Sequence, residues 1–173
     1  MKKEIMPGTT EFNGIEVIHL AMEIEKSGHF FYSRIGQGVS PPPLRKLFAR
    51  LANDEVQHLQ SLQKLMTEFQ DDAFWENEQE YLPYLKRFKD MEFFPNPEAV
   101  EAALTRPDSN LEILDLAISA EKRFSEFFAV AALYARNEEG KTVFSWLTLE
   151  EKQHAELLAE RKASLFRQKS GVD

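Results

Sequence analysis

The stretch DEVQH at residues 54–58 recurs 96 positions later as EEKQH at residues 150–154. In each copy a glutamate precedes a histidine by three positions, and a further glutamate lies 30 positions before that one. Side chains three positions apart share a face of an α-helix, so each Glu–His pair points in one direction. Together the copies contain four glutamates and two histidines, which are Glu25, Glu55, His58, Glu121, Glu151 and His154.

The spacing of the glutamates predicts two helical hairpins. Halfway between Glu25 and Glu55 lies SPPP at residues 40–43, where a helix must end or begin, because proline lacks an amide hydrogen and restricts the residue before it. The midpoint of the second copy falls beside Asn137, a common turn residue. Two helices that meet at such a turn carry their glutamates at one height, roughly 20 Å below it.

Apolar residues at helical spacing predict where the helices lie. The first is expected from near Asn13 to about residue 35, where Gly36-Gln37-Gly38 would end it, and the second from Pro43 to about residue 66. The third is expected from just after Ser109 to about residue 136, and the fourth from about residue 138 to 168. The predicted hairpins therefore span residues 13–66 and 108–168.

An internal repeat supports this arrangement. Residues 15–62 align without a gap with residues 111–158, and twelve of the 48 pairs are identical. A repeated helical hairpin predicts an all-α fold in which the two hairpins pack as a four-helix bundle. At 173 residues the chain is expected to form a single domain.

The segment between the hairpins, residues 67–107, is rich in aromatic residues and interrupted by prolines. Short helices are expected around residues 72–90 and 97–105, the second with Pro97 and Glu98 in its first turn. The length suits a helical crossover along the bundle or a partner-binding cover over its end. The alternative is that these aromatic residues are ordinary packing on the helices, as helical aromatic stripes usually are.

Composition limits the chemistry and the partners. The sequence has no cysteine, so any metal is held by oxygen and nitrogen atoms. A net charge of −8 argues against nucleic acid or an anionic membrane surface as a partner. The longest apolar run is far too short to cross a bilayer, and the first residues lead into no apolar signal region, so a cytoplasmic location is expected.

The glutamates of the repeat point into an apolar face rather than into solvent. Large apolar residues lie on or beside the same helical stripes, namely Phe31, Leu51, Leu59, Phe127, Leu147 and Leu158. Each buried and unpaired carboxylate lowers the stability of the fold by roughly several kcal/mol. Two divalent cations would balance the four negative charges. The oxygen and imidazole donors suit iron or manganese, with zinc as an alternative. A third Glu–His pair, Glu16 and His19, should face elsewhere, because Glu16 lies about 180° from Glu25 around the helix.

The stretch EKSGHFFY at residues 25–32, followed by DEVQH at residues 54–58, resembles the ferritin-like di-iron carboxylate proteins, and most closely the rubrerythrin group. The resemblance covers most of the chain. It implies that Glu55 and Glu151 bridge two iron ions. It also implies one terminal pair of ligands for each ion, Glu25 with His58 and Glu121 with His154.

Two further acidic residues stand directly before the bridging glutamates. A metal-binding histidine usually donates its second N–H to a carboxylate. Asp54 and Glu150 are therefore expected to be such partners, each for the histidine of the opposite hairpin, although either could simply lie on a solvated helix face. Tyr32 lies two turns after Glu25 on the same face and could hydrogen-bond near the site or pass an electron. Alternatively, Tyr32 is an ordinary core residue.

The resemblance implies reduction of hydrogen peroxide or dioxygen, or oxidation of Fe(II). Without cysteine the chain has no rubredoxin-type iron site, so electrons would come from a separate protein. Typical rubrerythrins also carry a further glutamate where this chain has Phe124, so the site is expected to be closer to a symmetric four-Glu, two-His centre. The alternative function is a non-catalytic iron-binding or interaction protein with a structural di-metal site. A homodimer is expected in either case.

Overall fold

The computed structural model describes residues 14–68, 88, 97–136 and 138–171. The described part of the chain contains five helices, and their bounds in chain order are α1 (Gly14–Gly38), α2 (Pro42–Glu68), α3 (Pro97–Thr105), α4 (Asn110–Tyr134) and α5 (Glu138–Ser170). This confirms the predicted all-α bundle. No helix in this part of the chain combines the length and apolar character that crossing a membrane requires.

Helix α1 ends at Gly38, the last residue of the stretch predicted to end it, and so runs about three residues beyond the predicted limit. A glycine inside a helix costs only about 1 kcal/mol relative to alanine. Here the missing side chains also allow close packing, since a Cβ on Gly36 would lie 3.3 Å from Phe48 Cβ and one on Gly38 would lie 2.6 Å from Leu104 Cδ1. The chain then turns, and α2 begins at Pro42.

The remaining helix limits agree with the sequence to within about two residues. Helix α4 ends at Tyr134 because Ala135 adopts an extended conformation with φ −61° and ψ 131°. Helix α3 spans the predicted residues, with Glu98 in its first turn. The helix expected around residues 72–90 lies outside the described residues except for Phe88, which is helical and buried. The aromatic segment that contains this predicted helix also lies outside the described residues, apart from Phe88.

The helices pack as the two predicted hairpins. Helix α1 packs against α2, and α4 packs against α5. The hairpins meet through contacts of α2 with α5 and of α1 with α4, while α3 packs against α1. The bundle therefore joins helices of the first half to helices of the second half.

The apolar core is divided into two clusters with the glutamates and histidines of the repeat between them. On α1, the first cluster ends at Ile24 and the second begins at Phe31, with Glu25 between. On α5, the first cluster ends at Leu147 and the second contains Leu158. On α2 and α4 the order along the chain is reversed, so that residues of the second cluster come first and residues of the first cluster follow. Apolar packing above and below thus fixes the height of one polar layer.

Candidate metal centre

The structure brings the six residues of the repeat together in this polar layer. They come from four helices, with Glu25 on α1, Glu55 and His58 on α2, Glu121 on α4, and Glu151 and His154 on α5. All six are at most 2% exposed. Acidic residues are almost never fully buried unless they are paired or bind a metal, so this layer requires compensation.

Two overlapping groups of potential ligands form within the layer. In each group one donor atom per residue lies within 4.8 Å of the others, the first group being Glu25, Glu55, His58 and Glu151 and the second Glu55, Glu121, Glu151 and His154. Glu55 and Glu151 belong to both groups. Shared carboxylates between two neighbouring groups are the arrangement that two bridged cations need.

Both histidines turn the same ring nitrogen toward the carboxylates. His58 Nδ1 lies 3.2 Å from Glu25 Oε2 and 3.1 Å from Glu151 Oε1. His154 Nδ1 lies 3.0 Å from Glu151 Oε2 and 3.7 Å from Glu121 Oε1. The two imidazole rings stack, with centroids 5.4 Å apart and planes 18° apart. The internal repeat of the sequence thus becomes a nearly symmetric arrangement of side chains.

The other ring nitrogens face the two outer carboxylates. His58 Nε2 lies 3.9 Å from Glu150 Oε2, and His154 Nε2 lies 3.5 Å from Asp54 Oδ2. Each carboxylate therefore meets the histidine of the opposite hairpin, as the sequence suggests. Both pairs lie within ion-pair distance, but neither forms a hydrogen bond of good geometry. Arg50 in turn lies 3.6 Å from Asp54.

Buried polar atoms without a hydrogen-bond partner concentrate at this site. In the described part of the chain they are Glu25 Oε1, Glu121 Oε2, both carboxylate oxygens of Glu55 and of Glu151, both ring nitrogens of His154, and one atom outside the layer, Arg161 Nε. Each such atom costs about 1–3 kcal/mol if nothing compensates it. Oxygen and imidazole donors that converge in a dry interior fit divalent iron, manganese or zinc.

The titration of these groups reflects the same need for compensating positive charge. Burial, and then repulsion from neighbouring carboxylates, raises the pKa of Glu25 and of Glu121 well above the ordinary value. Burial also opposes ionisation of Glu151, but the close approach of the His154 and His58 rings, whose Nδ1 atoms lie 3.0 and 3.1 Å from its oxygens, outweighs burial and lowers the pKa of Glu151 to about 2. The carboxylates overcome the effect of burial on His154 and raise its pKa to about 11. Protons therefore neutralise part of the layer whenever no cation does.

Tyr32 reaches this layer from the second apolar cluster. Its hydroxyl donates a hydrogen bond to Glu121 Oε1, which belongs to the opposite hairpin. Its ring stacks on Phe48 and meets Phe31 edge-on. Burial, and then the negative charge of Glu121, raises the pKa of Tyr32 well above 10, so the hydroxyl remains a donor. Tyr32 is thus both a core residue and a neighbour of the site, and Phe128, its counterpart in the repeat, has no hydroxyl to donate.

Gly28 is a site residue that the sequence reasoning missed. A Cβ at this position would lie 3.0 Å from Glu55 Cδ and 3.2 Å from Glu55 Oε2. The absence of a side chain makes room for the carboxylate that both ligand groups share. The signal was present, since a glycine inside a helix often marks a close approach, and the repeat pairs Gly28 with Phe124.

The third Glu–His pair lies away from the site, as predicted. His19 is exposed and Glu16 is half-buried, and neither residue belongs to the ligand groups. The pair has the same spacing on a helix as Glu55 and His58, yet its environment is different. Spacing within one helix is therefore insufficient, and the matched glutamate on the neighbouring helix identifies the site.

The fold and this layer define a class of protein, the ferritin-like helical bundles with a buried carboxylate and histidine centre that could hold two metal ions. The family model described as Rubrerythrin matches residues 16–162. The chain therefore belongs to the rubrerythrin family, whose members typically bind two iron ions. No curated protein and no solved structure matches the chain significantly.

Proposed function

We propose that this protein is a di-iron oxidoreductase that reduces hydrogen peroxide or dioxygen. The observation that supports this function is the pair of overlapping ligand groups, fully buried and sharing Glu55 and Glu151. Membership of the rubrerythrin family supports iron as the metal. When bound, two iron ions supply the electrons and the Lewis acidity that reduction of an O–O bond requires.

The proposed ligand set follows the two groups. Glu55 and Glu151 would bridge the ions. The terminal ligands would be Glu25 with His58 for one ion and Glu121 with His154 for the other. Both histidines would bind through Nδ1, the nitrogen that faces the carboxylates.

Several residues of the chain would support this chemistry without holding a metal. Tyr32 orients the Glu121 carboxylate by donating to it, and its raised pKa keeps a proton at the hydroxyl. Asp54 and Glu150 would orient the two histidines from outside the layer. The two apolar clusters exclude water from above and below, which strengthens electrostatic interactions between the buried groups.

The proposal does not include the exchange of ligands that a further glutamate would allow. Phe124 occupies that position, and it is fully buried in the first apolar cluster. The chain thus has a symmetric ligand set. Hydrogen peroxide and dioxygen are the proposed oxidants, and oxidation of Fe(II) is a third reaction that the same set supports.

The function can be tested by loading metal-free protein anaerobically with Fe(II) and adding one equivalent of hydrogen peroxide or of dioxygen. We expect rapid growth of a ferric charge-transfer absorption, and the faster oxidant identifies the substrate. His58→Ala should abolish this response. His19→Ala is the matched control, because it removes a histidine of the same Glu–His spacing outside the site, and it should respond like wild type. A wild-type protein that binds iron but reacts with neither oxidant contradicts the proposal.

One observation favours a second function, a structural di-metal site. Each ligand group takes residues from both hairpins, so bound metal would hold the hairpins together. This function predicts that metal removal lowers the midpoint of thermal unfolding sharply while the loaded protein reacts with no oxidant. If the protein is a di-iron enzyme, we expect bound metal both to stabilise the fold and to react with an oxidant.

We also propose an electron-donor partner, an oligomeric state and a location for this protein. An enzyme without its own cysteine ligands requires a separate electron-donor protein. We also propose a homodimer in the cytoplasm, with no nucleic acid or membrane partner. Equilibrium sedimentation that gives the mass of one chain, 20.0 kDa, would contradict the dimer.

A further inference from the structure

Trp146 on α5 contacts one of the six residues of the candidate centre. Its ring meets the His58 ring edge-on, with centroids 5.1 Å apart and planes 88° apart. Unlike the six residues themselves, Trp146 is only partly buried. Leu149, one helical turn further along α5, is 56% exposed. An aromatic side chain thus extends from the surface of the bundle to a histidine of the layer.

The two halves of the repeat differ at this position. Trp146 aligns with Arg50, whose side chain is 64% exposed and lies beside Asp54. Among the described residues, the ring that contacts His154 is that of His58. The second histidine therefore has a charged side chain in its outer environment where the first has an indole. Within the described residues, Trp146 thus gives the nearly symmetric centre an aromatic connection to the surface on the His58 side.

We propose that Trp146 is the residue through which electrons enter the centre from a one-electron donor protein. The inference rests on the proposed function, because a centre that reduces an oxidant must be reduced again. The sequence contains no cysteine, so this chain holds no iron–sulfur site of its own to supply the electrons. The contacting rings of Trp146 and His58 would shorten the gap between the donor and the metals.

The electrons balance without any change in covalent bonds at Trp146. Each transfer oxidises the donor by one electron and reduces one metal ion by one electron, so two transfers match one hydrogen peroxide, which takes up two protons and becomes two waters. Trp146 supplies the contact, and His58 links it to the metal. The other close neighbour described above, Tyr32, is fully buried and offers no exposed surface to a donor.

The absence of cysteine allows a direct test. Leu149→Cys gives the chain a single thiol, to which a photosensitiser can be attached one turn from Trp146. The emission lifetime of the sensitiser is measured in protein loaded with ferric iron and in protein loaded with zinc, which has no redox chemistry. The difference between the reciprocals of the two lifetimes gives the rate constant of electron transfer to the centre. The ferric protein is prepared with ferricyanide, so the measurement does not depend on turnover of peroxide.

We expect Trp146→Leu to lower this rate about tenfold, which corresponds to ~1.4 kcal/mol of barrier, while Trp146→Phe lowers it less. Arg50→Leu is the matched control from the other half of the repeat and should leave the rate unchanged. Metal content is measured for every variant. If Trp146→Leu does not load iron, Trp146→Arg, which introduces the residue found at the aligned position, takes its place with the same expectation.

An unchanged rate in an iron-loaded Trp146 variant would overturn the inference. Failure of the proposed function has a different signature, since iron-loaded wild type would then react with neither peroxide nor dioxygen whatever the lifetimes show. A third result, an equal loss of rate in Trp146→Leu and Arg50→Leu, would indicate a general disturbance of the layer and would also refute a specific role for Trp146.

Discussion

Replacing Gly28 by alanine should have opposite effects on the metal-free and the metal-loaded protein. The new methyl group would lie 3.0 Å from Glu55 Cδ and 3.2 Å from Glu55 Oε2, so the carboxyl group must move by a few tenths of an ångström. In the structure neither oxygen of Glu55 has a hydrogen-bond partner. Without metal, the nearest histidine atoms are His58 Nδ1 at 3.7 Å and His154 Nδ1 at 3.8 Å, so only these longer contacts oppose a small movement of the carboxyl group.

The metal-free variant should consequently gain from the better helix propensity of alanine, by up to about 1 kcal/mol. For a chain of this size that gain raises the midpoint of thermal unfolding by about 2–4 °C. With metal bound, Glu55 is the proposed bridge between two ions, and moving it disturbs both. We expect an affinity lower by about tenfold to a hundredfold, as for changes in the groups that position metal ligands.

The assay combines thermal unfolding followed by circular dichroism, with and without metal, and titration of the metal-free protein with zinc. Gly36→Ala is the control on the same helix, because its new methyl group would meet Phe48 Cβ at 3.3 Å and no group of the layer. It should bind zinc like wild type. A Gly28→Ala protein with wild-type zinc affinity, or one destabilised equally in both states, would refute this account of Gly28.

Other changes test the surroundings of the layer. Tyr32→Phe removes the hydroxyl that donates to Glu121, which leaves a buried acceptor unpaired. We therefore expect the free energy of unfolding of the metal-free protein, measured with denaturant, to fall by about 1–3 kcal/mol. An unchanged free energy of unfolding would contradict the contact. Asp54→Asn should lower zinc affinity about tenfold to a hundredfold by removing the charge beside His154 Nε2, and equal titration curves would show that Asp54 has no such role. Zinc affinity should also rise with pH. The raised pKa of His154 means that its bound proton stabilises the metal-free fold, fully below about pH 6.5 and no longer once the pH has risen through about 11. A metal ion must displace this proton to bind His154, so affinity falls as pH falls. An affinity independent of pH would contradict His154 as a ligand.

The arrangement of the hairpins was predictable because the sequence carries it twice. The two glutamates of each half are equally spaced about a turn, and the prolines at residues 41–43 mark a place where a helix ends or begins. A histidine three positions after the second glutamate shares its helix face whatever surrounds it. These features depend on helix geometry alone, so they could be inferred before any packing was known.

The errors and omissions concern contacts between helices. By local propensity, Gly36 and Gly38 place the end of α1 about three residues too early, because in the structure the helix continues over them where it meets Phe48 and Leu104 closely. Gly28 has the same explanation. Trp146 gave no signal because a tryptophan on an amphipathic helix is usually ordinary core, and only the fold shows that its neighbour is His58.

The central claim is that six buried residues form one centre for two metal ions with Glu55 and Glu151 between them. The most direct test is the number of Fe(II) ions bound per chain in an anaerobic titration of wild type, Glu25→Ala and Glu151→Ala. The account predicts two ions for wild type, loss of tight binding at one position for Glu25→Ala, and loss of both ions for Glu151→Ala, because only the last variant removes a shared ligand. Wild-type protein that binds no iron, or a Glu151→Ala protein that still binds two ions tightly, would contradict it.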